Sequence, residues 1–335
     1  MKTSFEKIFE RIDFSKIFRE LEERKAKEVG IQLPDGLKFF SKEFAEKFEE
    51  KGFDVIISGS ASYGACDIDI SLLDEVDILV HFAHLPVGSV ERVIYAPYYY
   101  NYEIENLESW IDRIEERKIA LAGTAQYAWK FPEVKRYLEG RGVEVELGGA
   151  RGRIGISGQV LGCNYSVLRD IGAKAILFIG DGMFHPRGAA IYSGRKVYFF
   201  NPLANEFTVI GKEFVERFLR ERYIQISRAM QNLENGVAIV VSSKIGQKRL
   251  STARRLKSIA KKKGMKSDIL FFNEISPERF MNFPYGVYVN TACPRITYDD
   301  FRKYEKPLLT PQEFEILVGK RDWEDYKIDE IDEIG

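Results

Sequence analysis

The chain has 335 residues and a balanced charge, with 50 Lys and Arg against 51 Asp and Glu and a formal net charge of −1. This balance excludes a global field that would recruit nucleic acid or an anionic membrane. At roughly 150 residues per domain the length predicts two or three domains, and 45% hydrophobic residues can fill several cores. Three cysteines are too few for a disulfide framework, so we expect a reducing, cytoplasmic location.

The sequence predicts neither export nor membrane insertion. The first ten residues, MKTSFEKIFE, contain no apolar core and no small-residue cleavage site of the kind that a secretory signal needs. The longest apolar runs, such as residues 175–179 and 237–241, are far shorter than the roughly 20 residues of a membrane span.

The predicted elements begin with an amphipathic helix over residues 5–25, where apolar side chains recur at steps of three and four. Beyond it, short β-branched runs alternate with charged amphipathic segments. This alternation is typical of βαβ units, so the sequence predicts an α/β fold with parallel sheets.

The alternation restarts three times, which predicts three similar units. Strands are expected to open the units at residues 29–33, 119–123 and 237–242. Each unit continues with a helix and a second strand and then reaches one cysteine. The cysteines, in chain order, are Cys66, Cys163 and Cys293.

A glutamine stands at or just after each opening strand, and the cysteine follows it by 34, 37 and 46 residues. These glutamines are Gln32, Gln126 and Gln247. The repeat predicts three domains, over residues 1–117, 118–235 and 236–335. If each domain delivers its cysteine from an equivalent position around a common centre, three thiolates meet at one point. The acidic tail from residue 321 lacks periodicity and is predicted to be a solvated extension.

Common local motifs do not explain the cysteines. The sequence contains no G-x-G-x-x-G after a strand, no P-loop, no H-E-x-x-H and no C-x-x-C. Three interpretations remain open: the cysteines are small buried hydrophobes, they bind a structural zinc ion together with a histidine, or they hold three irons of a cluster whose fourth iron is open to substrate.

Nine sequence blocks carry a family resemblance. They are residues 32–37 (QLPDGL), 61–67 (ASYGACD), 81–84 (HFAH), 123–126 (GTAQ), 159–163 (QVLGC), 180–186 (GDGMFHP), 246–249 (GQKR), 292–295 (ACPR) and 307–313 (PLLTPQE). In these blocks and their order the chain resembles the archaeal diphthamide biosynthesis enzymes, the 2-(3-amino-3-carboxypropyl)histidine synthase family. Each cysteine falls inside its own block.

The resemblance implies a homodimer whose subunits contain three Rossmann-like α/β domains with parallel sheets around a common centre. It implies that Cys66, Cys163 and Cys293 hold one [4Fe-4S] cluster with S-adenosylmethionine as cosubstrate. In the family, one electron from the reduced cluster releases methylthioadenosine and a 3-amino-3-carboxypropyl radical, which attacks C2 of a histidine imidazole in elongation factor 2. An electron donor is a further implied partner, and direct nucleic-acid binding is not expected.

Four more residues are predicted at the site. Arg295 offers a guanidinium to the carboxylate of S-adenosylmethionine, with an ordinary salt bridge as the alternative. Gln247 follows an opening strand, where α/β sheets place ligands, and we expect it to bind the cosubstrate unless it is only a polar residue starting a helix. Asp181 and His185 lie in the loop after residues 175–179. Both are predicted to be catalytic, Asp181 also contacting the cosubstrate and His185 positioning the incoming imidazole, against a purely structural histidine.

Two further features have a structural interpretation as well as a functional one. On a strand, His81 and His84 would point to opposite faces, which favours a structural, hydrogen-bonded role for at least one of them. The basic helix around residues 248–263 is either a solvated face or a docking surface for an acidic region of a protein substrate. The alternative to the enzyme as a whole is a zinc-stabilised α/β binding protein without catalytic activity.

Overall fold

The structure, a computed structural model, describes residues 8–332. Within that range the strands are β1 (Glu28–Gln32), β2 (Asp54–Ile57), β3 (Ile78–Ala83), β4 (Val93–Pro97), β5 (Lys118–Gly123), β6 (Glu144–Glu146), β7 (Ala175–Ile179), β8 (Lys196–Asn201), β9 (Glu206–Ile210), β10 (Val237–Ser242), β11 (Ser267–Phe272), β12 (Val287–Asn290) and β13 (Leu308–Leu309).

The helices lie between these strands or flank them. They are α1 (Phe14–Glu23), α2 (Ser41–Glu49), α3 (Glu108–Ile111), α4 (Ala125–Ala128), α5 (Phe131–Glu139), α6 (Phe184–Ser193), α7 (Lys212–Met230), α8 (Leu250–Lys262), α9 (Pro277–Phe280), α10 (Pro294–Tyr298) and α11 (Pro311–Leu317). No helix in this part of the chain is both long and apolar enough to cross a membrane.

The strands form three sheets with the same internal order. The sheets run β2-β1-β3-β4, β6-β5-β7-β8-β9 and β11-β10-β12-β13, so in each one the second strand of the unit lies outside the first. Pairing is parallel throughout, except that β9 joins β8 antiparallel. The predicted α/β fold with three similar parallel sheets is confirmed. The domain boundaries at residues 117 and 235 stay predictions.

Burial explains the composition of the most apolar strands. All six residues of β10, VAIVVS, are buried, and the five residues of β7, AILFI, are buried as well. A parallel strand that is covered on both faces reads as a continuous apolar run, and these two runs follow that pattern. The helices that cover the sheets supply the alternating charged segments.

The amphipathic helix predicted over residues 5–25 is observed only in part, as α1, because the chain turns at residues 10–13 before the helix begins; residues 5–7 lie outside the described range. The helix begins at Phe14 because the Asp13 carboxylate accepts a hydrogen bond from the backbone N–H of Lys16 and caps the first turn. Its buried face includes Ile17 and Leu21, which pack in the core of the first sheet.

The cysteines do not occupy equivalent positions in all three units. Cys66 and Cys163 lie between the second and third strands of their units, whereas Cys293 follows the third strand, β12. The sequence analysis missed β12 and therefore took Cys293 as equivalent to the other two. The longer spacing from Gln247 to Cys293 reflects this additional strand.

The prediction of a solvated tail is wrong for residues 328–331. Ile328, Asp329 and Ile331 are buried, and the N–H of Ile331 donates to the carbonyl of Cys163 at 2.8 Å. The acidic composition misled the prediction because the Asp329 carboxylate is paired with a buried arginine rather than hydrated.

Candidate functional site

The loop that carries Cys66 is held at the carboxyl end of β1. The Gln32 side chain donates through Nε2 to the carbonyl of Asp67 at 2.8 Å, and its Oε1 accepts from the N–H of Asp69 at 3.2 Å. The amide of Gln32, which is fully buried, therefore fixes the backbone of Asp67 and Asp69, which follow Cys66 in the loop.

Cys66 also contacts the third unit. The N–H of Gly246 donates to the carbonyl of Cys66 at 3.2 Å, and Gln247 donates through Nε2 to its Sγ at 3.4 Å. A Cβ at Gly246 would lie 2.4 Å from the Cα of Cys66, so only glycine permits this approach. Beside it, Lys244 and Asp67 form an ion pair at 2.7 Å. These contacts join the Cys66 loop to the segment that follows β10.

Cys163 lies in a loop at the carboxyl end of β5. The N–H of Val160 donates to the carbonyl of Gly123 at 2.8 Å, which fastens the loop to the last residue of the strand. Cys163 itself is 9% exposed.

Cys293 follows β12 and precedes the first residue of α10. Its carbonyl accepts from Nδ2 of Asn290 at 2.8 Å, and the same amide donates to the hydroxyl of Thr297 at 3.0 Å. The buried Asn290 side chain thus closes the turn between β12 and α10 around the thiol.

The three thiols interact with one another across these loops. Burial is the main cause that raises the pKa of each of them, and the pKa of Cys293 rises to about 12. Negative charge at Cys66 and Cys293 raises the pKa of Cys163 further, and charge at Cys66 raises that of Cys293. The structure therefore brings the three predicted ligands into one electrostatically coupled group.

Arginines surround the thiols and favour their ionised forms. Arg153 lowers the pKa of both Cys66 and Cys163, although burial outweighs this effect. Its guanidinium is buried and donates to the carbonyls of Gly246 at 2.9 Å and Ile331 at 3.4 Å, while its Nε has no hydrogen-bond partner among the residues described. A buried donor left free beside thiols is suited to a negatively charged group.

Arg249 provides a second, largely buried cation, whose side chain is 12% exposed. It donates to the backbone carbonyls of Thr291 at 2.6 Å and Ala292 at 3.1 Å, and it pairs with both oxygens of Asp329. Its charge also lowers the pKa of Cys163. The sequence analysis placed Arg249 on a basic helix face, but the structure places it before α8, turned into the protein.

The donor set fits an iron-sulfur group. The thiols of buried Cys163 and of the partly buried Cys66 and Cys293 are soft ligands. Iron-sulfur clusters are held by cysteine thiolates, whose charge nearby cations and hydrogen bonds can stabilise. Between residues 8 and 332, no three His, Cys, Asp or Glu side chains form a group suited to a single metal ion. A zinc site would also need a histidine, and the described contacts of the three histidines lead to other residues.

A cavity of about 320 Å³ opens beside the thiols, with Gln247, Cys293 and Arg295 in its wall. The Arg295 guanidinium lies 3.4 Å from the ring centre of Phe184, and its Nε donates to Asp299 at 3.2 Å. Arg295 is partly exposed, so it both forms the salt bridge foreseen as an alternative and faces the cavity. Gln247 is engaged with Cys66 and lines the same cavity.

Asp181 lies in the loop before α6, and His185 lies in the first turn of that helix. His185 packs edge-on against Phe184, and burial together with the charge of Arg295 lowers its pKa to about 3. Asp181 is exposed, and its charge raises the pKa of Tyr100 and Tyr127 in addition to their burial. The structure thus connects His185 to the cavity wall through Arg295, whereas the described electrostatic contacts of Asp181 lead to tyrosines.

His81 and His84 form a direct pair rather than pointing to opposite faces. The strand ends at Ala83, whose φ of 70° turns the chain, and Nε2 of His81 lies 2.9 Å from Nδ1 of His84. Gln32 Oε1 is an acceptor, so Nδ1 of His81 carries the proton and its Nε2 accepts from His84. These bonds indicate a structural role for the two histidines. They hold the Gln32 side chain, which in turn fixes the Cys66 loop.

The fold and the site define an α/β protein with three similar parallel sheets and, in loops that follow their strands, three cysteines whose thiols influence one another's pKa. The protein-family model for diphthamide synthesis proteins matches residues 33–327. The chain belongs to this family, as the sequence blocks predicted.

Named relatives support the assignment. The 2-(3-amino-3-carboxypropyl)histidine synthase of Pyrococcus horikoshii is 39% identical over 95% of this chain and 92% of its own length. The synthase of Methanocaldococcus jannaschii is 28% identical over 96% of this chain and 93% of that protein. These names confirm the predicted enzyme class, a transferase.

A solved structure gives the same result for the fold. The crystal structure of Dph2 from Pyrococcus horikoshii with a 4Fe-4S cluster matches with a TM-score of 0.88 at 38% identity. The match covers 96% of this chain and 94% of that one.

Proposed function

We propose that the chain catalyses the first step of diphthamide synthesis, the transfer of a 3-amino-3-carboxypropyl group from S-adenosylmethionine to a histidine of elongation factor 2. The observation that carries this proposal is that the loops of the three cysteines meet. Gln247 donates to Sγ of Cys66 and lines one cavity with Cys293, while Arg153 acts on the thiols of both Cys66 and Cys163 and donates to the carbonyl of Gly246. The relative that shares this fold at 38% identity contains a 4Fe-4S cluster. Cys66, Cys163 and Cys293 are the proposed ligands of such a cluster here.

The cluster, when bound and reduced, supplies one electron to the sulfonium of S-adenosylmethionine, which then releases methylthioadenosine and a 3-amino-3-carboxypropyl radical. The chain's own residues hold the cosubstrate and exclude water. Arg295 is proposed to bind its carboxylate, because this guanidinium lines the cavity next to Cys293. Gln247 orients Cys66 and borders the same space.

His185 is proposed to position the target imidazole from the other side of Arg295. Its surroundings keep it neutral, so it can donate or accept a hydrogen bond at ordinary pH. Asp181 remains a proposed catalytic and cosubstrate-contacting residue, although its described electrostatic neighbours are tyrosines. A homodimer, an electron donor and a cytoplasmic location complete the proposal, as the family resemblance implies.

The decisive experiment is anaerobic reconstitution of the full chain with iron and sulfide, followed by reduction with S-adenosylmethionine present. We expect methylthioadenosine, and alkylated elongation factor 2 when that protein is added. Absence of methylthioadenosine, or appearance of deoxyadenosine in its place, contradicts the proposal.

Single Cys→Ser variants test the ligands. Each of Cys66→Ser, Cys163→Ser and Cys293→Ser should lose stable iron, because a cluster held at two corners is readily lost. Ser258→Ala, an exposed substitution on α8, is the control and should retain wild-type iron. Unchanged iron in any of the three cysteine variants, or one zinc per chain in protein purified without oxygen, contradicts the assignment.

A further inference from the structure

Residues 328–332, which we call the strap, lie against the loops of two of the three cysteines. The strap has no regular secondary structure, yet Ile328, Asp329 and Ile331 are buried. Backbone that is buried without helix or strand partners must be satisfied by other contacts. Those contacts show what the strap does.

One set of contacts fixes the Cys163 loop. The N–H of Ile331 donates to the carbonyl of Cys163 at 2.8 Å, and Nδ2 of Asn164 donates to the carbonyl of Ile331 at 3.3 Å. The N–H of Tyr165 donates to Oε1 of Glu330 at 2.8 Å. Three successive residues of the loop are therefore bonded to two residues of the strap.

A second set reaches the Cys293 loop through Arg249. The Asp329 carboxylate binds Nη1 of Arg249 at 2.9 Å and Nη2 at 2.5 Å. The other donors of the same guanidinium bind the carbonyls of Thr291 and Ala292, the two residues before Cys293. The planar Arg249 guanidinium is held in one orientation, because it is bonded both to the Asp329 carboxylate and to the two backbone carbonyls.

Asp329 is itself held rigidly. Its N–H donates to the hydroxyl of Tyr298 at 2.7 Å, and Nε2 of Gln312 donates to its Oδ1 at 3.0 Å. The Asp329 side chain is fully buried. A carboxylate that is fixed by α10, α11 and Arg249 can transmit a fixed position to the loops that it contacts.

We propose that Asp329 is a positioning residue for the thiol centre, acting through Arg249 and the strap on Cys163 and Cys293. Cys66 is held differently, by Gln32, Gly246 and Gln247. No hydrogen bond joins the strap directly to Cys66 within residues 8–332. The inference rests on the proposed function, in that the cysteines are taken as ligands, and it predicts that they respond unequally.

The test uses the metal-free full chain and the variant Asp329→Asn, which keeps the shape of the side chain and removes its charge. The alkylation rate of each cysteine by iodoacetamide is measured by peptide mass spectrometry. We expect Cys163 and Cys293 to react roughly tenfold faster than in the wild type, because a buried charge that loses its partner opens its surroundings locally. The rate of Cys66 should change far less, because among the described bonds the strap reaches Cys66 through Arg153, which donates to the carbonyls of Ile331 at 3.4 Å and Gly246 at 2.9 Å.

Asp322→Asn is the matched control, since it makes the same substitution at an exposed position only seven residues away. It should leave all three rates unchanged. Unchanged rates in Asp329→Asn, or equal acceleration of all three cysteines, overturn the proposal, because equal acceleration indicates general loosening of the fold.

Hydrogen exchange provides a second measurement, which remains informative if the Asp329→Asn variant folds poorly. In the wild type, the amide of Ile331 should be protected by its bond to Cys163. In Tyr298→Phe, which removes only the hydroxyl that accepts from Asp329, this protection should fall while that of β10 stays unchanged. A wild-type Ile331 amide that exchanges as fast as an unstructured one overturns the proposal.

Reconstitution separates this inference from the proposed function. Asp329→Asn should lose bound iron to a chelator faster than the wild type, whereas Asp329→Glu should partly restore retention. If the wild type binds no iron, the proposed function fails, while the alkylation rates still decide the role of the strap.

Discussion

Two buried arginines in this protein make almost the same bonds and serve different purposes. Arg222 binds both oxygens of Glu313 at 2.7 Å and two backbone carbonyls, and Arg249 binds both oxygens of Asp329 and backbone carbonyls as well. Both satisfy the requirement that a buried charge be paired and fully hydrogen-bonded. Their chemistry alone does not tell them apart.

The two arginines differ in the segments of the chain whose backbone carbonyls they bind. Arg222 lies on α7 and binds the carbonyls of Thr297 on α10 and Leu308 on β13, so it joins two helices and the edge of the third sheet. Arg249 binds the residues before Cys293 and, through Asp329, the strap on Cys163. The comparison teaches that a buried ion pair becomes part of a site only through the backbone that it fixes.

The largest expected effect is the loss of stability when the Arg222–Glu313 ion pair is broken. Glu313→Gln leaves the Arg222 guanidinium buried without its countercharge, and it also weakens the capping box in which Glu313 and Thr310 start α11. We expect a loss of about 3 kcal/mol or more in the free energy of unfolding, measured by denaturant titration. In the fraction that remains folded, the relative alkylation rates of the three cysteines should stay as in the wild type. A selective change at Cys163 would remove the distinction between the two pairs.

A smaller effect sharpens the comparison, because the His81–His84 pair is buried without charge. Burial lowers the pKa of His81 from 6.5 to about 3, and that of His84 to about 4. Below pH 6.5 the unfolded chain therefore takes up protons that the folded chain does not, so stability present above this pH is lost as the pH falls. The expected slope is at most about 1.4 kcal/mol per pH unit for each histidine.

Denaturant titrations between roughly pH 5 and pH 7 measure this slope. His81→Gln should reduce it by about a third, because one of the three histidines whose pKa burial lowers, His81, His84 and His185, then no longer titrates. A slope that is the same in the wild type and the variant would assign the pH dependence to other groups.

The smallest effect is expected at the exposed pair of Arg255 and Glu315. Arg255 is about half exposed, and Glu315 keeps a second partner in Arg321. Arg255→Gln should therefore cost at most about 1 kcal/mol of stability and leave cysteine alkylation unchanged. If Arg255→Gln lowered the free energy of unfolding as much as Glu313→Gln does, burial would not determine how much these ion pairs contribute to stability.

The sequence allowed prediction of the features that local composition encodes. The apolar runs located the opening strands β1, β5 and β10, and the repeat of glutamine and cysteine indicated three units. The same reasoning gave Cys293 an equivalent position wrongly. The four-residue strand β12 lies between a glycine and the cysteine loop and is too short for its alternation to be recognised.

The positioning groups could not be predicted because their partners are distant in sequence. Arg153 and Ile331 are 178 positions apart, and Arg249 and Asp329 are 80 apart. An acidic segment without periodicity resembles a hydrated tail until the fold supplies a buried arginine. Any signal in the sequence would have been a charged residue next to an apolar one, as in Lys327 to Ile331, and that pattern is common on surfaces.

The strap also imposes an order on the making of this protein. Synthesis proceeds from the amino end and domains fold as they emerge, so Cys66 and Cys163 leave the ribosome long before Asp329 does. During that interval the carbonyl of Cys163 lacks the amide of Ile331 and Arg249 lacks its carboxylate. The thiol centre is therefore completed only after translation has passed the strap.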